Sequence, residues 1–488
     1  MIRHLSWILV ALMGSVLFWA PLPFGSVTPW ARAVLQASSF LLLALALLRA
    51  RSLRYFQPVL GPVSALAAIA LLGVLQSAPW PPSWIEAISP SHGEIYRQGS
   101  NLATAAGGSG LSPRLTLSPD VSLRTALTWA AWAALMAAAA VAGRHARHRR
   151  ALAAALVAAA GLQILYGMQG WLGGVSTIWN TAVPGATDRL RGTFVNPDHF
   201  ALFLELALAT CFAWLWWGSR RWPRVRNLES RLLLVVPPVL LWVACFVALA
   251  FSGSRAGLLA ALAGLAAQTV LLTRARHRLR TLLIGGGVLI TGFSVVALVG
   301  ARYGFGRLLE TSSYELTWGS RVQAMKGGLQ LWREFLWSGA GLGTFEDAFP
   351  LVQPPGLKGR WTHAHSDLLE LGVTVGVLGA AVALVGTYLL LRRLLRLSRL
   401  GLRSEDRAAA LAALGALVSV GIHESLDFGL TMPANAFALA VLCGAACGAR
   451  MARPGAAPRR LSLQRDTGET RRRPGVKDPP ARPSISRT

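Results

Sequence analysis

The sequence predicts an all-α polytopic membrane protein with about twelve transmembrane helices, since one apolar helix needs roughly 20 residues to cross a bilayer. The 488 residues are 53% hydrophobic and only 14% charged, a composition too apolar for a soluble globular chain. The apolar residues form long runs, and basic residues occupy the short gaps between these runs. A lipid bilayer is therefore the predicted solvent for most of the chain.

The predicted spans follow one another along the chain. They lie at Leu5–Ala20, Ala33–Leu48, Pro58–Ser77, Thr125–Gly143, Ala151–Gly170, His199–Trp217, Leu232–Phe251, Ala256–Thr273, Thr281–Gly300, Asp367–Leu391, Ala408–His423 and Ala434–Ala449. The sequence Phe18-Trp19-Ala20-Pro21 is a poor match to the small-residue pattern of a signal-peptide cleavage site. We therefore expect the first run to remain as a membrane anchor.

Arginine clusters follow every second predicted span. They comprise Arg49, Arg51 and Arg54, then Arg144, Arg147, Arg149 and Arg150, then Arg220, Arg221, Arg224 and Arg226, then Arg274, Arg276, Arg278 and Arg280, and finally Arg392, Arg393, Arg396 and Arg399. Because positively charged loops stay in the cytoplasm, both chain ends are predicted to be cytoplasmic. The net charge of +27 is spread over these loops and forms no single basic domain, so no nucleic-acid partner is expected.

The predicted topology divides the chain into three parts. Residues 1–150 hold the first transmembrane helices with an outer loop at 78–124. Residues 151–450 hold the remaining spans, with a large periplasmic loop at 301–366 between the ninth and tenth. Residues 451–488 are rich in Arg, Pro and Ser without apolar periodicity, which is typical of a disordered cytoplasmic tail that could contact membrane lipid.

One segment of the large loop has the pattern of an amphipathic helix. Its apolar positions Val322, Met325, Leu329, Trp332 and Leu336 recur at helical spacing, with charged and polar residues opposite. This pattern predicts a helix that lies on the outer membrane surface. The glycine-rich GAGLGTF that follows is interpreted as a turn, because no predicted strand precedes it as a dinucleotide site would require.

Ionisable residues near the outer ends of the spans are the candidates for chemistry, because charge at membrane depth is unfavourable unless it serves a function. Arg191, Arg255 and Arg321 are predicted to bind an anionic diphosphate group, since guanidinium groups bind phosphate oxygens in pairs and keep their charge. The segments that contain Arg191 and Arg255 also have structural explanations. Asn196 can cap a helix, and Arg255 can extend its side chain to the membrane interface.

The sequence THAHSDLLE from Thr362 to Glu370 supplies the candidate base. We predict that His365 accepts a proton, that Asp367 or Glu370 orients it, and that His363 and Asn196 help to bind substrate. A capping and hydrogen-bonding cluster is the alternative.

A metal or cofactor is not expected. The H-x-H pair has no third ligand at metal-binding spacing, and Cys211, Cys245, Cys443 and Cys447 lie within apolar runs.

These motifs resemble the O-antigen ligase family, which includes related polysaccharide polymerases. RGTFVNPDHF is similar to the family's R-G-T-F-x-N-x-N-x-F region, with Asp198 in place of the second asparagine. SGSRAG is similar to its S-R-G segment, and GAGLGTF to its glycine turn. His365-Ser366, followed after nine residues by GVLG, fits the pattern H-[NSQ]-x9-G-x-x-[GTY]. The segment HESLDFGLTMPAN, from His423, resembles the family's last outer turn.

The resemblance covers residues 151–450 and implies a glycosyltransferase of the bacterial inner (cytoplasmic) membrane with a periplasmic active face. The implied reaction, which needs no metal or cofactor, moves a glycan from an undecaprenyl diphosphate carrier to a sugar hydroxyl on a glycan or on the lipid A core. The competing interpretation is a transporter or flippase, in which the arginines line a conduction path. A transporter typically has broken helices, paired repeats and charge at the membrane midplane.

Overall fold

The structure, a computed structural model, describes residues 2–50, 52–183, 189–273, 286–287 and 318–451. The helices of these ranges are α1 (Ile2–Trp19), α2 (Pro29–Arg49), α3 (Leu60–Ser77), α4 (Pro82–Ile88), α5 (Pro90–Ala105), α6 (Pro119–Ala142), α7 (Ala146–Leu172), α8 (Pro197–Arg221), α9 (Leu228–Ser252), α10 (Arg255–Thr273), α11 (Trp318–Glu334), α12 (Phe345–Ala348), α13 (Asp367–Leu400), α14 (Ser404–Leu426) and α15 (Pro433–Cys447).

The predicted helical, multi-pass membrane architecture is confirmed. In the described ranges 9 helices are long and apolar enough to cross a membrane, and α1 and α15 are shorter apolar helices. Each predicted span coincides with a helix except the ninth. Apart from residues 286–287, the ninth span lies outside the described residues, as do 301–317 of the large loop and 452–488 of the tail. The number of twelve spans and the placement of the loops remain predictions.

Helix α8 lies at the centre of the bundle. Asn196 accepts a hydrogen bond from the Asp198 backbone N–H (2.8 Å), Pro197 occupies the first turn, and two arginines end the helix. These features are standard signals for helix start and end. The helix packs against α9, α10 and α14, and all of its first seventeen residues are buried. Residues at its beginning are therefore held rigidly.

Large apolar side chains are exposed on the outer helices. On α9, Leu233 is 65% exposed, and on α13 Leu384 is 71% exposed. A soluble protein rarely leaves so many apolar side chains in contact with water, whereas lipid tails cover such surfaces readily. This distribution agrees with a bundle whose perimeter faces lipid.

Helix α11 confirms that the amphipathic segment is helical. Its buried face consists of Ala324 and Leu331 and continues to Phe335, which pack with Phe345 and Phe349 of the loop in one apolar cluster. The helix also contacts α13. Leu329 and Leu336 remain exposed beside this face, and their contact with the membrane surface stays a prediction. The packing holds the beginning of α11 near the beginning of α13.

Helix α13 breaks at Gly376, and the glycine turn fills the break. Gly376 has φ 65° and ψ −173°, which only glycine adopts without strain. The carbonyl of Val373 accepts the Ala340 N–H (2.8 Å). The carbonyl of Thr374 accepts the Gly341 N–H (3.2 Å). The turn thus replaces helical hydrogen bonds that the break removes, and it ties the loop to the first half of α13.

Candidate functional site

The candidate site forms where α8 and α13 begin and α14 ends. The backbone N–H of Asp367, the first residue of α13, donates to the Asp427 carbonyl just after α14 (3.1 Å). The Ser366 hydroxyl donates to the Glu424 carbonyl (3.3 Å). These bonds bring the H-x-H segment and the turn after α14 together, although more than fifty residues separate them in sequence.

Asp427 is the residue that joins the predicted base to a predicted arginine. Its side chain is 1% exposed, and its Oδ1 lies 3.9 Å from Nδ1 of His365. Its Oδ2 lies 3.8 Å from Nη1 of Arg321. Both distances are longer than hydrogen bonds, so neither partner is tightly engaged. A single buried carboxylate therefore holds a histidine and a guanidinium group side by side.

Asp198 forms the second anionic position of the site. Its Oδ1 accepts a hydrogen bond from Nη2 of Arg189 (2.5 Å), and its Oδ2 lies 3.9 Å from Nη2 of Arg321. Ser254, the residue before Arg255, also hydrogen-bonds to this carboxylate. Arg321 thus lies between two carboxylates, and its side chain keeps 26% of its surface exposed. It is held loosely enough to exchange a carboxylate for a phosphate group.

Three histidines surround the ring of Phe428. The ring of His363 stacks on it, with centroids 4.2 Å apart and an interplanar angle of 18°. The rings of His365 and His199 meet it edge-on, at 5.1 and 4.8 Å. His365 also has a left-handed φ of 53°, an unfavourable conformation for a residue with a side chain. Aromatic packing and this turn fix the direction of the imidazole.

The surroundings of His365 keep it neutral. Burial lowers the pKa of its imidazole to about 4, and the positive charge of Arg321 lowers it in the same direction. The imidazole is therefore uncharged at neutral pH and can accept a proton. Burial, together with the Asp198 carboxylate, raises the pKa of Asp427 to about 6, although Arg321 opposes the shift. Asp427 is ionised above that pH and can stabilise a histidine that has taken up a proton.

Glu370, one of the two carboxylates predicted to orient His365, contacts His363 in the structure. Both of its oxygens lie 3.2 Å from Nδ1 of His363, and Oε2 also accepts the Ala364 N–H (3.1 Å). Burial opposes a charge on His363, but the Glu370 carboxylate outweighs it and raises the pKa of the imidazole. His363 and Glu370 thus form a hydrogen-bonded pair beside His365.

Asp367, the other predicted carboxylate, points toward the turn after α14. Its Oδ2 accepts the Leu430 N–H (3.2 Å), and Oε2 of Glu424 accepts the same N–H at the same distance. Two buried carboxyl groups on one donor favour a shared proton, because two negative charges there would repel each other. This pair supports the turn that carries Asp427 and Phe428.

The other residues predicted to bind substrate are Arg191, Asn196 and Arg255, and each has different contacts. Arg191 is buried and donates from Nη2 to the Ser176 carbonyl, while no hydrogen-bond partner is found for its Nη1 among the described residues. Asn196 uses Oδ1 to cap α8. Arg255 is exposed at the beginning of α10. The convergence of Arg191, Arg255 and Arg321 on one ligand remains a proposal.

The structure adds charged residues that the sequence prediction did not include among the site residues. Arg189 and Asp427 belong to the site directly. Deeper in the bundle, Nδ1 of His423 lies 2.6 Å from Oε1 of Glu205, and both side chains are 0% exposed. Asp427 and His423 were within the motif HESLDFGLTMPAN, and Glu205 was an acidic residue inside an apolar run. Acidic residues in or next to apolar runs were therefore the sequence signal that could have identified these additional site residues.

No group of three or more His, Cys, Asp or Glu side chains in the described ranges is arranged to hold a metal ion. The site offers instead two guanidinium groups, that of Arg189, which is nearly buried, and that of Arg321, which is loosely paired. It also offers the neutral imidazole of His365 and the adjacent carboxylate of Asp427. Such a set can bind an anion and remove a proton from a neighbouring hydroxyl group.

Comparison with protein families gives a match to the O-Antigen ligase model over residues 239–384. The matched segment runs from α9 through the glycine turn and the H-x-H segment into α13. A search of curated proteins found no match. The family match supports a role in polysaccharide assembly of the ligase or polymerase type. It supports the resemblance seen in the motifs, and the protein is a helical multi-pass membrane protein in which residues 239–384 are similar to the O-Antigen ligase family.

Proposed function

We propose that this protein transfers a glycan from an undecaprenyl diphosphate carrier to a sugar hydroxyl at the periplasmic face of a bacterial inner membrane. The observation that carries the proposal is the placement of His365 and Arg321 on the two oxygens of Asp427, at 3.9 and 3.8 Å. A base for the acceptor and a cation for the donor's diphosphate are thereby adjacent. The acceptor is a sugar of a glycan or of the lipid A core.

In the proposed reaction the acceptor oxygen attacks the anomeric carbon of the donor sugar. The bond from that carbon to the diphosphate oxygen breaks, and its electron pair leaves with undecaprenyl diphosphate. The hydroxyl proton passes to His365, and Asp427 stabilises the resulting imidazolium. Arg321 binds the departing diphosphate, and Arg191 and Arg255 complete the anion site. No metal or cofactor takes part in this proposal.

Donor binding would also prepare the base. Arg321 is one cause of the low pKa of His365. A diphosphate bound to Arg321 would compensate its charge and so raise the basicity of the imidazole. The gap of 3.9 Å to Asp427 is consistent with this order of events, since catalytic hydrogen bonds often tighten only when substrate binds.

The test of the proposed function is glycan transfer by the purified protein in lipid nanodiscs. The donor is an undecaprenyl diphosphate-linked oligosaccharide, and the acceptor is either the same glycan or a lipid A core. A lengthened glycan or a modified core, with release of undecaprenyl diphosphate, is the expected product. Movement of the intact donor across the membrane without any new glycosidic bond would favour the transporter interpretation.

We expect kcat/KM of this transfer to rise with pH through about 6. Asp427 is protonated below that pH and ionised above it, and only the ionised carboxylate can stabilise the imidazolium. His365 is neutral throughout this range, so its own titration does not limit the rate. In Asp427→Asn the rate should be lower and independent of pH between 5 and 7. A wild-type profile without change in this interval would contradict the role of Asp427.

Thiol labelling can establish on which side of the membrane the site lies. The four native cysteines are buried, so a new exposed cysteine can be labelled selectively. We expect a membrane-impermeant maleimide to label Ser109→Cys, in the predicted outer loop, from the periplasm. Arg147→Cys, an exposed position in the first turn of α7, should react only after permeabilisation. The reverse pattern would place the site on the cytoplasmic side.

A further inference from the structure

Two cavities adjoin each other at the end of the bundle opposite to the candidate site. An apolar groove of about 80 Å³ lies between α7, α8, α14 and α15. A second cavity of about 360 Å³, the basic pocket, lies at the end of α8 and the beginning of α14. Glu405 lines both cavities. The candidate site is at the other end of α8, roughly 35 Å away at the usual rise of 1.5 Å per residue.

The basic pocket has a strong excess of positive charge. Its arginines are Arg220, Arg221, Arg224, Arg403 and Arg407, and among the described residues Glu405 is the single carboxylate that lines it. Glu405 lies 3.6 Å from Nη2 of Arg221 and can compensate only one of these charges. Except for Arg221, the arginines are exposed. The pocket is therefore suited to a phosphate group, since several guanidinium groups can donate to its oxygens together.

The lining of the apolar groove has the chemistry to pack against a hydrocarbon chain. Alanines such as Ala153, Ala409 and Ala412 line it, and their small side chains leave the space open. Its position within the membrane-spanning part of the helices makes water an unfavourable occupant. An acyl chain is the apolar molecule that surrounds the bundle at this depth.

Two tryptophans line the groove near the basic pocket. The guanidinium groups of Arg150 and Arg221 lie 5.4 and 5.2 Å from the ring centroid of Trp217. Trp217 is only 5% exposed, yet neither its indole N–H nor that of Trp214 has a hydrogen-bond partner among the described residues. A buried donor without an acceptor is unfavourable. The ester carbonyl of a glycerolipid lies between phosphate and chains, where it could accept such a bond.

We propose that the basic pocket and the apolar groove together bind one anionic phospholipid, with the phosphate among the arginines and an acyl chain in the groove. Basic pockets between transmembrane helices bind anionic lipid head groups in other membrane proteins. The lipid would bridge α7, α8, α14 and α15 and stabilise their packing. This site is independent of the proposed glycan transfer, because it lies at the other end of the helices.

Native mass spectrometry of the purified full-length protein tests the head group. Phosphatidylglycerol should bind, and phosphatidylcholine with the same chains should not compete with it. Each arginine near an anionic lipid contributes about fivefold in affinity, so Arg220→Gln/Arg224→Gln/Arg407→Gln should bind about 100-fold more weakly. The matched control is Arg392→Gln/Arg396→Gln/Arg399→Gln, three exposed arginines at the end of α13, which should leave binding unchanged. Equal binding of both lipids, or equal loss in the control variant, would overturn the proposal.

Variants of the groove test the acyl chain separately. Ala153→Phe and Ala409→Phe place a large side chain in the groove from α7 and α14 and leave every arginine in place. Each should weaken phosphatidylglycerol binding at least tenfold, while inorganic phosphate should not compete with the lipid. Unchanged lipid binding in both variants would mean that no acyl chain occupies the groove. Competition by phosphate alone would mean that the basic pocket binds a free anion.

Discussion

Replacement of His365 by alanine is expected to lower the rate of glycan transfer by about 10²- to 10⁴-fold, the usual contribution of a general base. The imidazole is neutral, fixed between Trp361 and Phe428, and close to the ionisable carboxylate of Asp427. Its loss removes the proton acceptor and leaves the guanidinium groups in place. Donor binding should therefore change little, and kcat should carry the effect.

His363→Ala is the matched control for this variant. Its imidazole stacks on the same Phe428 ring and pairs with Glu370, so its removal perturbs the same part of the site. We expect a smaller loss, because Nδ1 of His363 contacts the Glu370 carboxylate and is less available as a base. The rate of glycan transfer by each purified variant is measured at a saturating donor concentration. Near-wild-type turnover in His365→Ala would assign the base to His363 or to a carboxylate.

Replacement of Arg321 by glutamine is expected to reduce kcat/KM by about 10²- to 10³-fold, the range found when one preorganised donor to a developing charge is removed. Arg321 lies between Asp198 and Asp427. Of the two arginines near Asp198, Arg321 is more exposed than Arg189. Unlike His365→Ala, this variant should also bind the undecaprenyl diphosphate donor more weakly. Arg321→Lys should lie between wild type and glutamine, because lysine keeps the charge but loses the two-pronged geometry.

Arg333→Gln provides the control on the same helix, since Arg333 is exposed near the end of α11. It should retain wild-type transfer and donor affinity. A thermal-unfolding measurement on Arg321→Gln accompanies the assay, because loss of this cation leaves two buried carboxylates less compensated. Unaltered donor affinity in a folded Arg321→Gln protein would show that the diphosphate binds elsewhere.

The H-x-H segment and the RGTFVNPDHF motif could be located from sequence because each is a local pattern next to an apolar run. Their partners could not. Asp427 meets His365 only because α14 returns to the beginning of α13, and Arg189 meets Asp198 through a turn before α8. Sequence proximity favoured Asp367 and Glu370 as partners of His365, whereas the chain direction at the left-handed His365 places Glu370 against His363.

The sequence by itself determined that this is a helical membrane protein with motifs that resemble the O-antigen ligase family, because hydrophobicity, arginine placement and short motifs are local properties. Tertiary structure alone decided which charges meet, which face of α11 is buried, and that α13 breaks at Gly376. These features depend on contacts between residues far apart in the chain. In the break, for example, the carbonyls of Val373 and Thr374 find donors in a turn more than thirty residues earlier, and no local pattern records that pairing.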